Sequence, residues 1–121
     1  METVEGILSA FSQETRLRMA MLLTDSSLCV NCLMNALNLP QSTISRHLSI
    51  LRRGGVVKVK RDNTHCYYSF NGEGLMGRLK QRLIQAYCET LRDAEPFKTD
   101  RVRLNKLKSE CYADCDVCIT E

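Results

Sequence analysis

The stretch from Leu37 to Gly55, Leu-Asn-Leu-Pro-Gln-Ser-Thr-Ile-Ser-Arg-His-Leu-Ser-Ile-Leu-Arg-Arg-Gly-Gly, constrains this chain more than any other. Ile44, Leu48 and Leu51 recur at i, i+4 and i+7 and share one face of a short helix. Ser42, Thr43, Ser45, Arg46 and Ser49 are left on the opposite face, which is small, hydroxylated and basic. Short side chains let such a helix bring its backbone close to base edges in a major groove, and arginine can reach guanine there. Asn38-Leu39-Pro40 reads as a tight turn before it, with Pro40 tolerated beside a first helical turn. Gly54-Gly55 ends the helix. Val56–Lys60 and Cys66–Phe70 are β-prone, with Arg61-Asp62-Asn63-Thr64 between them as a hairpin turn. The pattern predicts a helix-turn-helix followed by a β-wing, and double-stranded DNA as the partner.

The charge distribution points the same way. Net charge is only +3, but no acidic residue lies between Asp25 and Asp62, while Arg46, Arg52, Arg53, Lys58, Lys60 and Arg61 all do. A basic surface on the segment that presents a reading helix suits phosphate. The candidate DNA contacts are Gln41, Ser42, Thr43, Ser45, Arg46 and His47 from the helix, with Lys58, Lys60 and Arg61 from the wing; Asn63 and His65 are further candidates. His47 fits a buried capping or core role nearly as well.

The chain of 121 residues suits a single small core that would gain from a second copy. Val4, Ile7, Leu8 and Phe11 keep helical spacing, and Ser12 is a candidate N-cap for a second helix ending near Thr24–Ser27. Cys29–Asn38 predicts a third helix with Leu33 and Leu37 buried. Glu73–Arg92 predicts a long helix striped by Leu75, Leu79, Leu83, Tyr87 and Leu91, a face that a partner subunit would cover. Pro96 marks a boundary, and Lys98–Lys108 is a loosely patterned basic helix. The expected fold class is mainly α (α+β), a winged helix-turn-helix with N- and C-terminal dimerisation helices. Residues 1–95 form the DNA-binding and dimerisation domain and 96–121 a C-terminal extension. No apolar run is long enough to span a bilayer. Met1–Gly6 is acidic and mixed, unlike a secretory signal, so a cytoplasmic location is expected. With only two histidines, both in the DNA-reading elements, and no phosphate-binding loop or hydrolase motif, the chain is not expected to be an enzyme.

Leu28-Cys29-Val30-Asn31-Cys32 running into Leu37–Gly55, preceded by Thr15-Arg16-Leu17-Arg18, resembles the ArsR/SmtB family of metalloregulatory repressors, closest to the arsenic-responsive type. The resemblance spans roughly Phe11 to Phe70. It implies a homodimer that holds an inverted-repeat operator and releases it on binding a toxic metal or metalloid. Arsenic repressors of this type often carry Cys-Val-Cys at the start of the third helix; here Cys29 matches the first cysteine, Asn31 replaces the second, and Cys32 follows one residue later.

The inducer must then be read from this chain's sulfurs. Seven cysteines, an odd number, argue against a closed disulfide framework. Clustered thiols in a reducing compartment more often serve a metal or redox role. Cys111, Cys115 and Cys118 form one cluster, Cys-x3-Cys-x2-Cys; Cys29 and Cys32, at i and i+3, form another. Cys66 and Cys88 stand alone. Trivalent arsenic and antimony keep a lone pair and take three sulfurs in a pyramid, which the C-terminal trio matches; thiolates select such soft ions. The expected metal ligands are therefore Cys111, Cys115 and Cys118, with Cys29 and Cys32 plus a third thiol as the alternative. Zinc prefers four ligands, often including imidazole, and the long helix carries no histidine. No obligatory cofactor is expected. Zinc, cadmium or lead sensing, a thiol redox switch, and a DNA binder with no metal site remain open alternatives.

Overall fold

The computed structural model describes residues 2–62 and 65–111, with side chains up to Lys108. Eight elements follow in order: α1 (Val4–Phe11), α2 (Glu14–Leu23), α3 (Val30–Leu37), α4 (Gln41–Arg53), β1 (Val57–Asp62), β2 (His65–Phe70), α5 (Gly77–Leu91) and α6 (Phe97–Cys111). The strands form an antiparallel hairpin in which Val57 pairs with Phe70 and Asp62 with His65. This is the expected winged helix-turn-helix. No helix among the described residues is long and apolar enough to cross a membrane.

The turn between α3 and α4 is built on Asn38, which caps α3 in the left-handed region at φ 58° and donates its N–H to Met34 O. Asparagine tolerates this conformation where most L-residues clash with the following carbonyl. Asn38→Val, at an exposed position, should cost about 1–2 kcal/mol through that clash, while Asn38→Gly should not; urea unfolding of the two variants is the check. Pro40 stands in extended conformation just before α4, as its missing N–H requires. The inner face of α4 is Ile44, Leu48 and Leu51, all buried against Ile7, Met19, Leu23, Leu33 and Leu37.

Several boundaries differ from the sequence reading. Ser12 caps the C-terminal end of α1, where its hydroxyl donates to Ser9 O at 2.7 Å, and Gln13 stands at the N-cap of α2. Cys29 is not helical: it is the extended N-cap of α3, and its sulfur accepts the Cys32 N–H at 3.4 Å. The strands run longer than predicted, taking in Arg61, Asp62 and His65. Helix α5 starts at Gly77, so Leu75 lies in the preceding turn, 89 % exposed, and not on the helical stripe. The rest of that stripe, Leu79, Leu83, Tyr87 and Leu91, packs partly on this chain's own core, with Tyr87 tilted against Phe11 at 5.3 Å between ring centres.

Helix α6 docks on α2 and α3. Phe97 and Leu104 are buried in the common core, and the peptide bond before Pro96 is cis. Asp100, 1 % exposed, takes two hydrogen bonds from Arg18 of α2, at 2.7 Å from Nε and 2.8 Å from Nη2; the same Nη2 also donates to Leu37 O at 3.2 Å. One turn on, Arg103 donates to Ala36 O at 3.5 Å, and further on Lys108 donates to the Ser26 hydroxyl. Along α6, the contacts thus pass from the C-terminal end of α3 to Ser26, in the segment that precedes it.

Candidate functional site

The outer face of α4 is open. Gln41, Ser42, Ser45, Arg46 and Ser49 are exposed and Thr43 is half-buried, while the apolar face holds the helix to the core. In the wing, Lys58, Lys60 and Arg61 are exposed as well. An ion pair between Lys58 and Glu73 spans 4.0 Å with both ends in water, so it ties the lysine only weakly. These side chains form one basic, hydroxyl-bearing surface on a helix and its neighbouring hairpin. Asn63 lies outside the described residues.

His47 departs from this set. It is 5 % exposed, on the inward side of α4, with Nδ1 at 3.3 Å from Arg16 Nη1. Arginine can only donate, so Nδ1 accepts and the ring carries its proton on Nε2. Burial, then the neighbouring Arg16 and Arg46 charges, pushes the imidazole pKa down and keeps the ring neutral. The same Arg16 donates to Ala10 O and Ser9 O, both at 2.9 Å, and so joins the end of α1 to the back of α4. His47 braces α4 from within and does not sit on its outer face. Arg16 is a member of this arrangement that the charge pattern alone passes over. The available signal is that Arg16 lies beside Leu17 on the side of α2 that is buried, with Met19 and Ala20, whereas Glu14 and Arg18 are its other charged residues.

The segment before α3 touches the wing directly. Leu28 and Tyr68 of β2 exchange two backbone hydrogen bonds, at 2.9 and 2.8 Å. Cys29 and Cys32 follow, 3 % and 4 % exposed. Cys29, Met34, Gln41, His65 and Cys66 line one open groove between α3, α4 and the wing. Cys32 is disulfide-bonded, and Cys29, Cys66 and Cys88 are not its partner. Cys88, half-buried beside the cavity between α2, α5 and α6, has its thiol pKa pushed up, first by burial and then by Asp25. Of the C-terminal trio, Cys111 ends α6, and Cys115 and Cys118 lie outside the described residues. Among the described residues no three His, Cys, Asp or Glu side chains converge as a metal site. Cys29 and Cys32 thus gather no third described ligand.

Residues 13–59 match the model of the arsR family of bacterial regulatory proteins. An HTH-type transcriptional regulator of Methanocaldococcus jannaschii is 40 % identical over 68 residues, covering 55 % of this chain and 76 % of that one. An arsenic resistance transcriptional regulator of Pseudomonas putida, ArsR2, is 36 % identical over 96 residues, covering 77 % of this chain and 84 % of the relative. The chain belongs to the ArsR family. Its fold matches the homodimeric winged helix-turn-helix DNA-binding domain of a Mycobacterium bovis protein described as a possible ArsR-family regulator, with a TM-score of 0.61 and 27 % identity, over 76 % of this chain and 84 % of that one. The family match ends at residue 59, short of β2, α5 and α6. Asp100, which joins α6 to Arg18 within the matched span, lies beyond it.

Proposed function

We propose that this chain is a homodimeric transcriptional repressor that binds an inverted-repeat operator and releases it when trivalent arsenic or antimony is taken by cysteine thiolates. The observation that carries the DNA half is the exposed face of α4, with Ser42, Ser45 and Arg46, beside the exposed wing cations Lys58, Lys60 and Arg61. Gln41 and Thr43 flank that face and complete the set of base and phosphate contacts. Pairing is supported by apolar side chains left uncovered, Leu8 at 51 % and Val4 at 45 % on α1 and Leu75 at 89 % ahead of α5. A second copy laid there would space two reading helices for two half-sites. The cytoplasm is the location that suits such a protein and its thiols.

The sensing half rests on Cys111, Cys115 and Cys118, with Cys29 and Cys32 as the alternative set, and on the name of the Pseudomonas relative. What a bound trivalent ion supplies is a pyramid of bonds to three sulfurs. The chain's part is to hold those sulfurs where closing on the ion favours a dimer geometry that no longer matches the groove spacing. Zinc, cadmium and lead would compete for the same thiolates. A thiol redox switch is a second reading, favoured by the disulfide at Cys32.

Fluorescence anisotropy on the operator fragment tests both halves. Affinity should fall steeply with salt as neutralised phosphates release counterions. Arg46→Ala should cost about 1–3 kcal/mol of operator binding, and Lys58→Ala should weaken all duplexes alike and reduce the salt slope by about one. Adding sodium arsenite to the reduced complex should release the DNA. Affinity that ignores salt would remove the α4–wing surface from the interface, and DNA retained under arsenite would remove arsenic as the inducer.

A further inference from the structure

We propose that the cavity between α2, α5 and α6 is a binding site for a small organic carboxylate, an anion that carries an apolar body. The site is separate from the sulfurs to which sensing is given above, and the proposal does not depend on that role.

The cavity has a volume of about 350 Å³, within the range of small-molecule sites. Its lining divides by chemistry. Met21 and Leu22 of α2 and Phe97 and Leu104 of α6 supply an apolar part. Leu22, Phe97 and Leu104 are fixed in the core, while the unbranched Met21 can adjust to what it meets. The charged part of the lining is mainly cationic: Arg18, Arg92, Arg101 and Lys108 stand against Asp25 and Asp100. Arg18 and Asp100 neutralise each other in their close pair. Three cations then remain beside one carboxylate, the exposed Asp25. Lys108 donates to the Ser26 hydroxyl, a neutral partner that leaves its charge unbalanced.

Arg101 supplies a second, independent observation. Its Nη2 makes two long hydrogen bonds, both at 3.4 Å, to Arg92 O and Asp93 Oδ1. The Asp93 side chain is 84 % exposed, so that ion pair holds the guanidinium weakly. The Nε of Arg101 is buried, and among the described residues no acceptor meets it. A buried N–H without an acceptor keeps its full desolvation cost. A carboxylate is the acceptor that a guanidinium fork fits best. An inorganic oxyanion would meet the charge but leave the apolar side chains against water. A neutral apolar molecule would cover those side chains but leave Nε unmet. A carboxylate with an apolar body answers both halves of the lining.

The test uses the full chain, reduced, near neutral pH. Sodium benzoate, hexanoate and 4-phenylbutyrate are titrated by calorimetry, with their uncharged amides and inorganic phosphate in parallel. At least one carboxylate should bind, and more tightly than its amide and than phosphate. Arg101→Leu should weaken that binding by about tenfold or more, the loss of a charge-assisted hydrogen bond. This variant leaves the Arg18–Asp100 pair in place, and Lys98→Leu, an equal change of charge at an exposed position of α6 outside the cavity, should bind as the wild type does. Cys88 lines the cavity and reports occupancy directly. The bound carboxylate should slow its alkylation by N-ethylmaleimide, read on the tryptic peptide Leu83–Arg92, and leave that of Cys66 in the wing unchanged. No binding by any of the three carboxylates at millimolar concentration overturns the proposal. Equal binding of the amides removes the anion from it, and equal binding of phosphate removes the apolar body; either result overturns it. So does undiminished binding by Arg101→Leu, or binding that leaves Cys88 unprotected, since both place the ligand elsewhere.

Discussion

Asp100→Ala is expected to lower the unfolding free energy by about 3 kcal/mol, the range found when one partner of a buried ion pair is removed. Asp100 is 1 % exposed and receives both Nε and Nη2 of Arg18, whose side chain is 14 % exposed. Its removal leaves a guanidinium in a largely dry place with one remaining acceptor among the bonds described, Leu37 O. The carboxylate also holds α6 on α2, so the loss should appear first as fraying of α6, read by amide exchange at residues 101–108. The double variant Arg18→Met, Asp100→Leu should recover much of the loss, because the cost lies in the stranded charge and not in a missing attraction. Equal destabilisation in single and double variants would mean that packing, and not the charge pair, holds the helix.

The helix-turn-helix was legible in the sequence because its periodicity is local. Ile44, Leu48 and Leu51 encode the buried face of α4, and Asn38, Pro40 and Gly54 mark its turn and its end. The exposed residues between them could be listed before any fold was known. His47 marks the limit of that reasoning. At i+3 from Ile44 it shares the apolar face, yet the sequence does not announce Arg16, 31 positions earlier, as the group it would meet. The C-terminal part was less legible for a related reason. Helix α6 is basic and weakly patterned, and its docking depends on one acidic side chain meeting an arginine 82 residues away. Spacing within Lys98–Lys108 carries no record of that pair. Nor does alternation within Cys66–Phe70 reveal that β2 has a second neighbour at Leu28.

The second large effect is expected at the other end of the chain. Lys80 is fully buried in α5, where its ammonium donates to Glu2 Oε2 at 2.6 Å and to Gly55 O at 2.8 Å. The other oxygen of Glu2 accepts the Met76 N–H at 3.1 Å. The Glu2–Lys80 pair thus joins the N-terminal segment, the base of the wing and the start of α5. Room for it is made by Gly55, at φ +77°, and Gly74, at φ +90°, where any Cβ would fall within 3 Å of the Glu2 side chain. Glu2→Ala should cost about 3 kcal/mol, the lower end of the range for a broken buried pair, since its side chain is 19 % exposed. Lys80→Met should cost less, because it leaves behind a carboxylate that can turn to water and not an ammonium confined in the core. The hydrogen bond from Lys80, then that from Met76, holds the Glu2 pKa below its ordinary 4.5. A depressed carboxylate pKa contributes stability that is complete above the unfolded value and disappears as pH falls through the folded one. The gap in unfolding free energy between the wild type and Glu2→Gln should therefore be constant from neutral pH down to about 4.5 and narrow below it. Denaturation across that interval decides the matter. A gap unaffected by acid would show that Glu2 acts through shape and hydrogen bonding, with no part for its charge.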